Sequence, residues 1–125
     1  MSLKTPLGQV RGLGSAKSGT HHWWLQRLTA IAMLLLMIWF VVSMIGIAGS
    51  SYEEALVWVR QPLVSIVFLV MIGTAFYHMR LGIQVVIEDY LDGAAKIGAL
   101  VLLNFGAALL AAACLFSVLK IAFGA

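Results

Sequence analysis

Three apolar runs dominate this chain, at about Leu25–Ala48, about Leu63–Ile87 and about Ile97–Phe123. An α-helix needs about 20 residues, at ~1.5 Å each, to cross ~30 Å of hydrocarbon, and every run exceeds that length. No water reaches the backbone at that depth, so its N–H and C=O groups must pair within the segment, which leaves helix as the available state. The expectation is therefore an all-α integral membrane protein with three transmembrane helices. Composition agrees: of 125 residues 62% are hydrophobic and only 10% are charged, and mean hydropathy is +1.02. A soluble domain this small has too much surface to be covered by so few charges.

Local chemistry marks where the runs stop. Gly46, Gly49, Ser50 and Ser51 end the first. Pro62 suits the first turn of the second helix, where its missing N–H costs nothing. Asp92 and Gly93 break the second connection. The chain reads as one membrane-anchor unit over 1–125, with a polar tail over 1–22 ahead of the spans. No signal peptide is expected, because the first apolar run starts late and lacks a small-residue cleavage site. Cys114 is the single cysteine, so an internal disulfide framework is excluded.

The net charge of +3 resides in residues that flank the runs and form no basic stripe, so it reads as topology rather than nucleic-acid binding. With the N-terminus in the cytoplasm, the inner side carries Lys4, Arg11, Lys17, Arg27, Arg80 and Lys96, and the outer side Arg60 and Lys120. That bias favours a cytoplasmic N-terminus and a periplasmic C-terminus. Trp23 and Trp24 fall at the inner boundary, and Trp58 near the outer boundary of the second helix, the depth aromatic rings prefer.

Ionisable groups inside a span are costly and mark function. His78 is the strongest case. At about 100° per residue, Gly82 lies about 40° from it, Val85 about 20° to the other side and Asp89 about 20° away, so the four share a face. A neutral imidazole there can ligate a metal, most simply haem iron, or it can hydrogen-bond a neighbouring helix. Gly82 would leave room for a flat macrocycle or for a close helix. Arg80 points nearly opposite to His78 and is expected to snorkel toward the interface. Arg27, one turn inside the first helix, can snorkel or pair with an acid such as a haem propionate. His21 and His22 sit at the interface, where histidines are ordinarily surface residues. Glu88, Asp89, Tyr90 and Asp92 cluster at the inner boundary, either as a solvated helix end or as a place where a quinone's carbonyls meet donors. Gly98, Gly106, Ala107 and the alanines that follow permit close helix contact in the third span. Asn104, the only amide in that span, is expected to hydrogen-bond across helices. No phosphate loop, CxxC pair or nucleophile elbow occurs.

Two segments carry a family resemblance. His78-Met79-Arg80-Leu81-Gly82 continuing to Glu88-Asp89-Tyr90, and Gly19-Thr20-His21-His22-Trp23-Trp24-Leu25-Gln26-Arg27-Leu28-Thr29-Ala30, resemble the small hydrophobic membrane-anchor subunit of succinate dehydrogenase, respiratory complex II. The opening Ser2-Leu3-Lys4-Thr5-Pro6-Leu7-Gly8 resembles its α-proteobacterial branch. The resemblance implies that His78 is an axial ligand of haem b, with the other ligand from a second membrane-anchor subunit. It implies that Arg27, and less directly His21, contact haem propionates, that Tyr90 hydrogen-bonds a ubiquinone carbonyl, and that Asp89 supports that site. Flavoprotein and iron–sulfur subunits are the implied partners and the bacterial inner membrane the implied location, with succinate chemistry in the partner subunits. Rival readings are the anchor of a fumarate reductase, a small transporter subunit using His78 and Arg80, and a structural subunit without cofactor.

Overall fold

The computed structural model describes residues 5–11 and 18–124. Lys4 and Lys17, assigned above to the tail, lie outside the described residues. Five helices follow in order: α1 (Pro6–Arg11), α2 (Gly19–Ile47), α3 (Tyr52–Arg60), α4 (Pro62–Tyr90) and α5 (Gly93–Ala122). Three of them, α2, α4 and α5, are long and apolar enough to cross a membrane. The chain is thus a multi-pass membrane protein, all-α among the described residues.

The long helices outrun the apolar runs that announced them. α2 begins at Gly19, so His21 and His22 belong to a helix rather than to a tail. α4 continues through Glu88 and Asp89 to Tyr90, and α5 starts directly after Asp92. A helix of 29 residues is about 44 Å long, so its ends project beyond the hydrocarbon. Pro62 opens α4 at its first turn, with Gln61 as the preceding cap. The α4–α5 corner needs a left-handed residue, and Gly93 provides it at φ 57°.

The α3 helix is absent from the sequence reading. Ser51 caps it: Glu54 N–H donates to Ser51 Oγ, while Glu54 Oε2 accepts from the Ser51 N–H at 2.7 Å. This reciprocal pair satisfies donors that a helix start leaves open. Trp58, expected near the start of the second span, lies on α3 instead. Its ring stacks on Trp39 of α2 at 6.2 Å and meets Phe68 of α4 edge-on at 5.7 Å. Ser65, buried at the start of α4, donates its hydroxyl to Val59 O at 2.6 Å. Arg60 Nε donates to Ile121 O at the end of α5. Aromatic rings and single hydrogen bonds therefore lock one end of the bundle. In lipid such packing contacts carry association, because apolar burial alone gives little.

The α4 helix is the middle of the bundle, packing most extensively on α5 and next on α2. Small residues serve the α4–α5 seam at Ala107, which is buried. Gly98 and Gly106 do not: a Cβ at either would meet nothing within 4 Å. Ala107 meets the small-residue reading within this chain, while Gly98 and Gly106 face away from the chain's own helices. Only Val64, Ser65, Leu81 and Ala107 are buried among the described residues, and large apolar side chains are exposed along all three spans.

Candidate functional site

The α2–α4 seam holds the candidate site. Thr29 on α2 and His78 on α4 meet across it, with Thr29 Oγ1 2.9 Å from His78 Nδ1. His78 is half-buried. Among the described residues the contact with Thr29 at Nδ1 is the one hydrogen bond of the His78 ring, which leaves Nε2 without one. The two positions match in depth: Thr29 is ten residues, about 15 Å, from the start of α2, and His78 twelve residues, about 18 Å, from the end of α4. The helices run antiparallel, so both levels are measured from the same end of the bundle.

Below this contact α2 presents a polar face. His22, Gln26 and Thr29 stand at i, i+4 and i+7, within about 60° of one another around the helix. Gln26 Nε2 lies 3.5 Å from where a Cβ on Gly82 would sit. Gly82 therefore faces the close helix, the second of its two sequence readings, at ordinary van der Waals distance. His22 Nε2 and Gln26 Oε1 are sealed from solvent and, among the described residues, have no hydrogen-bond partner. Buried polar groups of this kind are uncommon and call for a ligand, a water or a neighbouring chain.

Arg80 is turned away from that seam. Its Nε donates to Asn104 Oδ1 on α5, and Asn104 Nδ2 donates in turn to Leu100 O at 2.6 Å. Asn104 does reach across helices, as its position in the span suggested. Arg80, expected to snorkel toward the interface, gives one of its five N–H donors to an amide acceptor on the adjacent helix. His78 faces α2 and Arg80 faces α5, so the two do not line one path, which removes the geometry a transporter reading needs.

The remaining predicted residues lie toward the shared end of α2 and α4. Arg27 is exposed, about 160° around α2 from Thr29, and its guanidinium sits over the Trp23 ring at 5.4 Å. That cation–π contact holds the guanidinium on the outer surface of α2. His21 is exposed on the first turn of the same helix. Asp89 is exposed, and Tyr90, the last residue of α4, is 82% exposed. Glu88 is engaged locally, accepting from Gln84 Nε2 at 2.7 Å, with Lys96 Nζ on its carbonyl at 2.9 Å.

The chain thus brings His78 onto an inner seam but leaves Arg27, His21, Asp89 and Tyr90 on open surface. Among the described residues no three His, Cys, Asp or Glu side chains gather to hold a metal, and His78 is a lone nitrogen donor. Thr29 and Gln26 carried no role in the sequence reading. Their signal was present in the His22/Gln26/Thr29 spacing, which sets three polar residues on one face of a mostly apolar helix.

Residues 1–119 match the family of succinate dehydrogenase/fumarate reductase transmembrane subunits. The succinate dehydrogenase hydrophobic membrane anchor subunit of Rickettsia bellii is 38% identical over 90 residues, 72% of each chain. That of Paracoccus denitrificans is 30% identical over 114 residues, covering 90% of this chain and 88% of the relative. The succinate dehydrogenase membrane anchor subunit of Reclinomonas americana is 29% identical over 80 residues, 62% of this chain and 67% of the relative. No solved structure matches the chain. With three helices of spanning length and a match over nearly all its residues, the chain belongs to the family of succinate dehydrogenase and fumarate reductase transmembrane subunits.

Proposed function

We propose that this chain anchors a succinate:ubiquinone oxidoreductase in the bacterial inner membrane, shares haem b with a second anchor subunit and forms part of the ubiquinone-reduction site. The observation that carries the reading is His78 Nε2, an imidazole nitrogen without a partner at mid-span in a chain of this family. The cytoplasmic side of the shared α2–α4 end would receive the flavoprotein and iron–sulfur subunits. All three relatives described above are succinate dehydrogenase subunits, which favours succinate oxidation over fumarate reduction.

The residues present fit haem b. One neutral imidazole is the donor that a shared iron requires from each of two chains. Exposed Arg27, and exposed His21 closer to the start of α2, stand toward the end of the bundle where propionates would reach the interface, and a guanidinium there offsets their charge. Bound haem supplies a one-electron redox centre, tuned by ligation, burial and nearby charge. Tyr90 lies about 18 Å along α4 from His78 and about 120° around it, so a quinone site and a haem do not compete for space.

At the quinone the chain's part is hydrogen bonding. Tyr90 donates its phenol O–H to a quinone carbonyl, and Asp89 supports the site through an arginine of the partner subunit. Reduction to quinol takes up two protons, and Tyr90 stands at an open helix end where water supplies them. Two measurements on the purified complex test this reading. His78→Ala removes or perturbs the haem b spectrum. Tyr90→Phe slows quinone reduction at least tenfold, while succinate oxidation by an artificial dye persists. An unaltered spectrum in an assembled His78→Ala complex overturns the ligand role, and equal loss of both activities overturns the quinone role.

A further inference from the structure

Resting on that reading of His78, we propose that Thr29 is the residue that positions the haem ligand, holding the His78 ring as its Nδ1–H tautomer so that Nε2 presents a bare lone pair. The protons around one oxygen decide the tautomer.

Thr29 Oγ1 has three polar neighbours: Leu25 O at 2.7 Å, Gln26 O at 3.1 Å and His78 Nδ1 at 2.9 Å. A hydroxyl has one hydrogen to give and two lone pairs to receive. Both carbonyl oxygens can only accept. The hydroxyl hydrogen therefore points to Leu25 O, shared with Gln26 O, in the back-bond that threonine makes to the preceding turn of its own helix. Were it turned to His78 instead, Oγ1 and Leu25 O would face each other lone pair to lone pair at 2.7 Å. With the hydrogen committed to α2, the oxygen can only accept from His78. Nδ1 then carries the ring proton, and a neutral imidazole with Nδ1–H has its lone pair on Nε2.

Three consequences reach the ligand. The tautomer is selected before any metal arrives. The ring plane is pinned, because the acceptor belongs to a rigid turn of α2. Donation from Nδ1 also makes Nε2 a stronger electron donor, as a partner on the far ring nitrogen does for metal-bound histidines generally. A hydroxyl that is itself a donor is a weaker acceptor than a carboxylate, so this push is moderate. A stronger donor favours the oxidised metal, so losing the bond raises the reduction potential.

The test uses the assembled complex in its own membrane, comparing wild type with Thr29→Val, which keeps the branched shape and removes the hydroxyl, and Thr29→Ser, which keeps the hydroxyl. Haem content, the midpoint potential from a redox titration of the visible band, and the low-spin ferric electron-paramagnetic-resonance spectrum are read for each. The expected result is a higher midpoint and a displaced resonance in Thr29→Val, with Thr29→Ser at wild-type values. Loss of haem from Thr29→Val with retention at wild-type potential in Thr29→Ser supports the same conclusion. Full haem in Thr29→Val with unchanged potential and resonance overturns it. So does a Thr29→Ser complex that behaves like Thr29→Val. A wild-type complex without haem overturns the His78 reading itself, an outcome separate from the other two.

Discussion

Two polar pairs inside these spans join neighbouring helices, Thr29 with His78 and Arg80 with Asn104, and that pairing determines what a substitution does. Arg80 is the costliest group in the α4–α5 seam, and its donor rests on Asn104 Oδ1. Asn104→Leu removes the acceptor and strands a guanidinium beside apolar surface. An orphaned charged donor costs about 2 kcal/mol or more. Replacing both partners, Arg80→Met with Asn104→Leu, recovers most of that loss, since no group is left unanswered. Thermal unfolding of the assembled complex in detergent, run as a double-mutant cycle, measures the coupling, and additive effects would show that the bond contributes nothing. Residue types and rough depths at this scale were legible: a histidine, an arginine and an amide in lipid announce themselves. Their partners were not. Thr29 and His78 are separated by 49 positions, and the pairing appears only once two antiparallel helices set a common depth.

Among the elements, α3 shows why some structure escaped the sequence. It has nine residues, too few to span, and it falls between two strong apolar signals that absorb the reader's attention. Its cap was nonetheless written in Ser51 and Glu54, a serine followed three residues later by a glutamate. The spans themselves were legible because about 20 apolar residues admit one solution in lipid, while the projecting start of α2 was not, since His21 and His22 are polar residues that read as tail. The capping box also sets a pH response. The Ser51 N–H, and after it the Ser51 hydroxyl, hold the Glu54 carboxyl below its ordinary value of 4.5. A depressed value means that the ionised form stabilises the helix start. That contribution is complete above the ordinary carboxylate value and is lost as pH falls through the depressed one. Amide exchange in the first turn of α3, corrected for intrinsic rates, should stay level from neutral pH down to about 5 and quicken below about 4.5. Glu54→Gln should abolish that acid step, and a step that survives it would place the titration elsewhere.

At the scale of the molecule, charge decides which way the bundle faces, and the structure changes how the charges are counted. Arg80 donates to Asn104 within the bundle and is set aside from the count. Of the other seven Lys and Arg residues in the sequence, Arg27 and Lys96 lie toward one end of the bundle, Lys4, Arg11 and Lys17 precede α2 in sequence, and Arg60 and Lys120 lie toward the other end. Arg60 is partly committed as well, through its bond to Ile121 O. Five against two still favours a cytoplasmic N-terminus, since positive residues near span ends are retained on that side. The same orientation puts Tyr90 and Asp89 on the cytoplasmic side, where soluble catalytic subunits would dock, and leaves the Trp39–Trp58–Phe68 cluster toward the periplasm. A reporter enzyme that is active only in the periplasm, fused after Ala125, should therefore be active, and a reporter that fluoresces only in the cytoplasm should be dark there. The converse pattern would move Tyr90 to the far side from the cytoplasm. Electrons from a cytoplasmic succinate-oxidising subunit would then have to cross the whole bilayer to reach it, and the quinone assignment would fall with the topology.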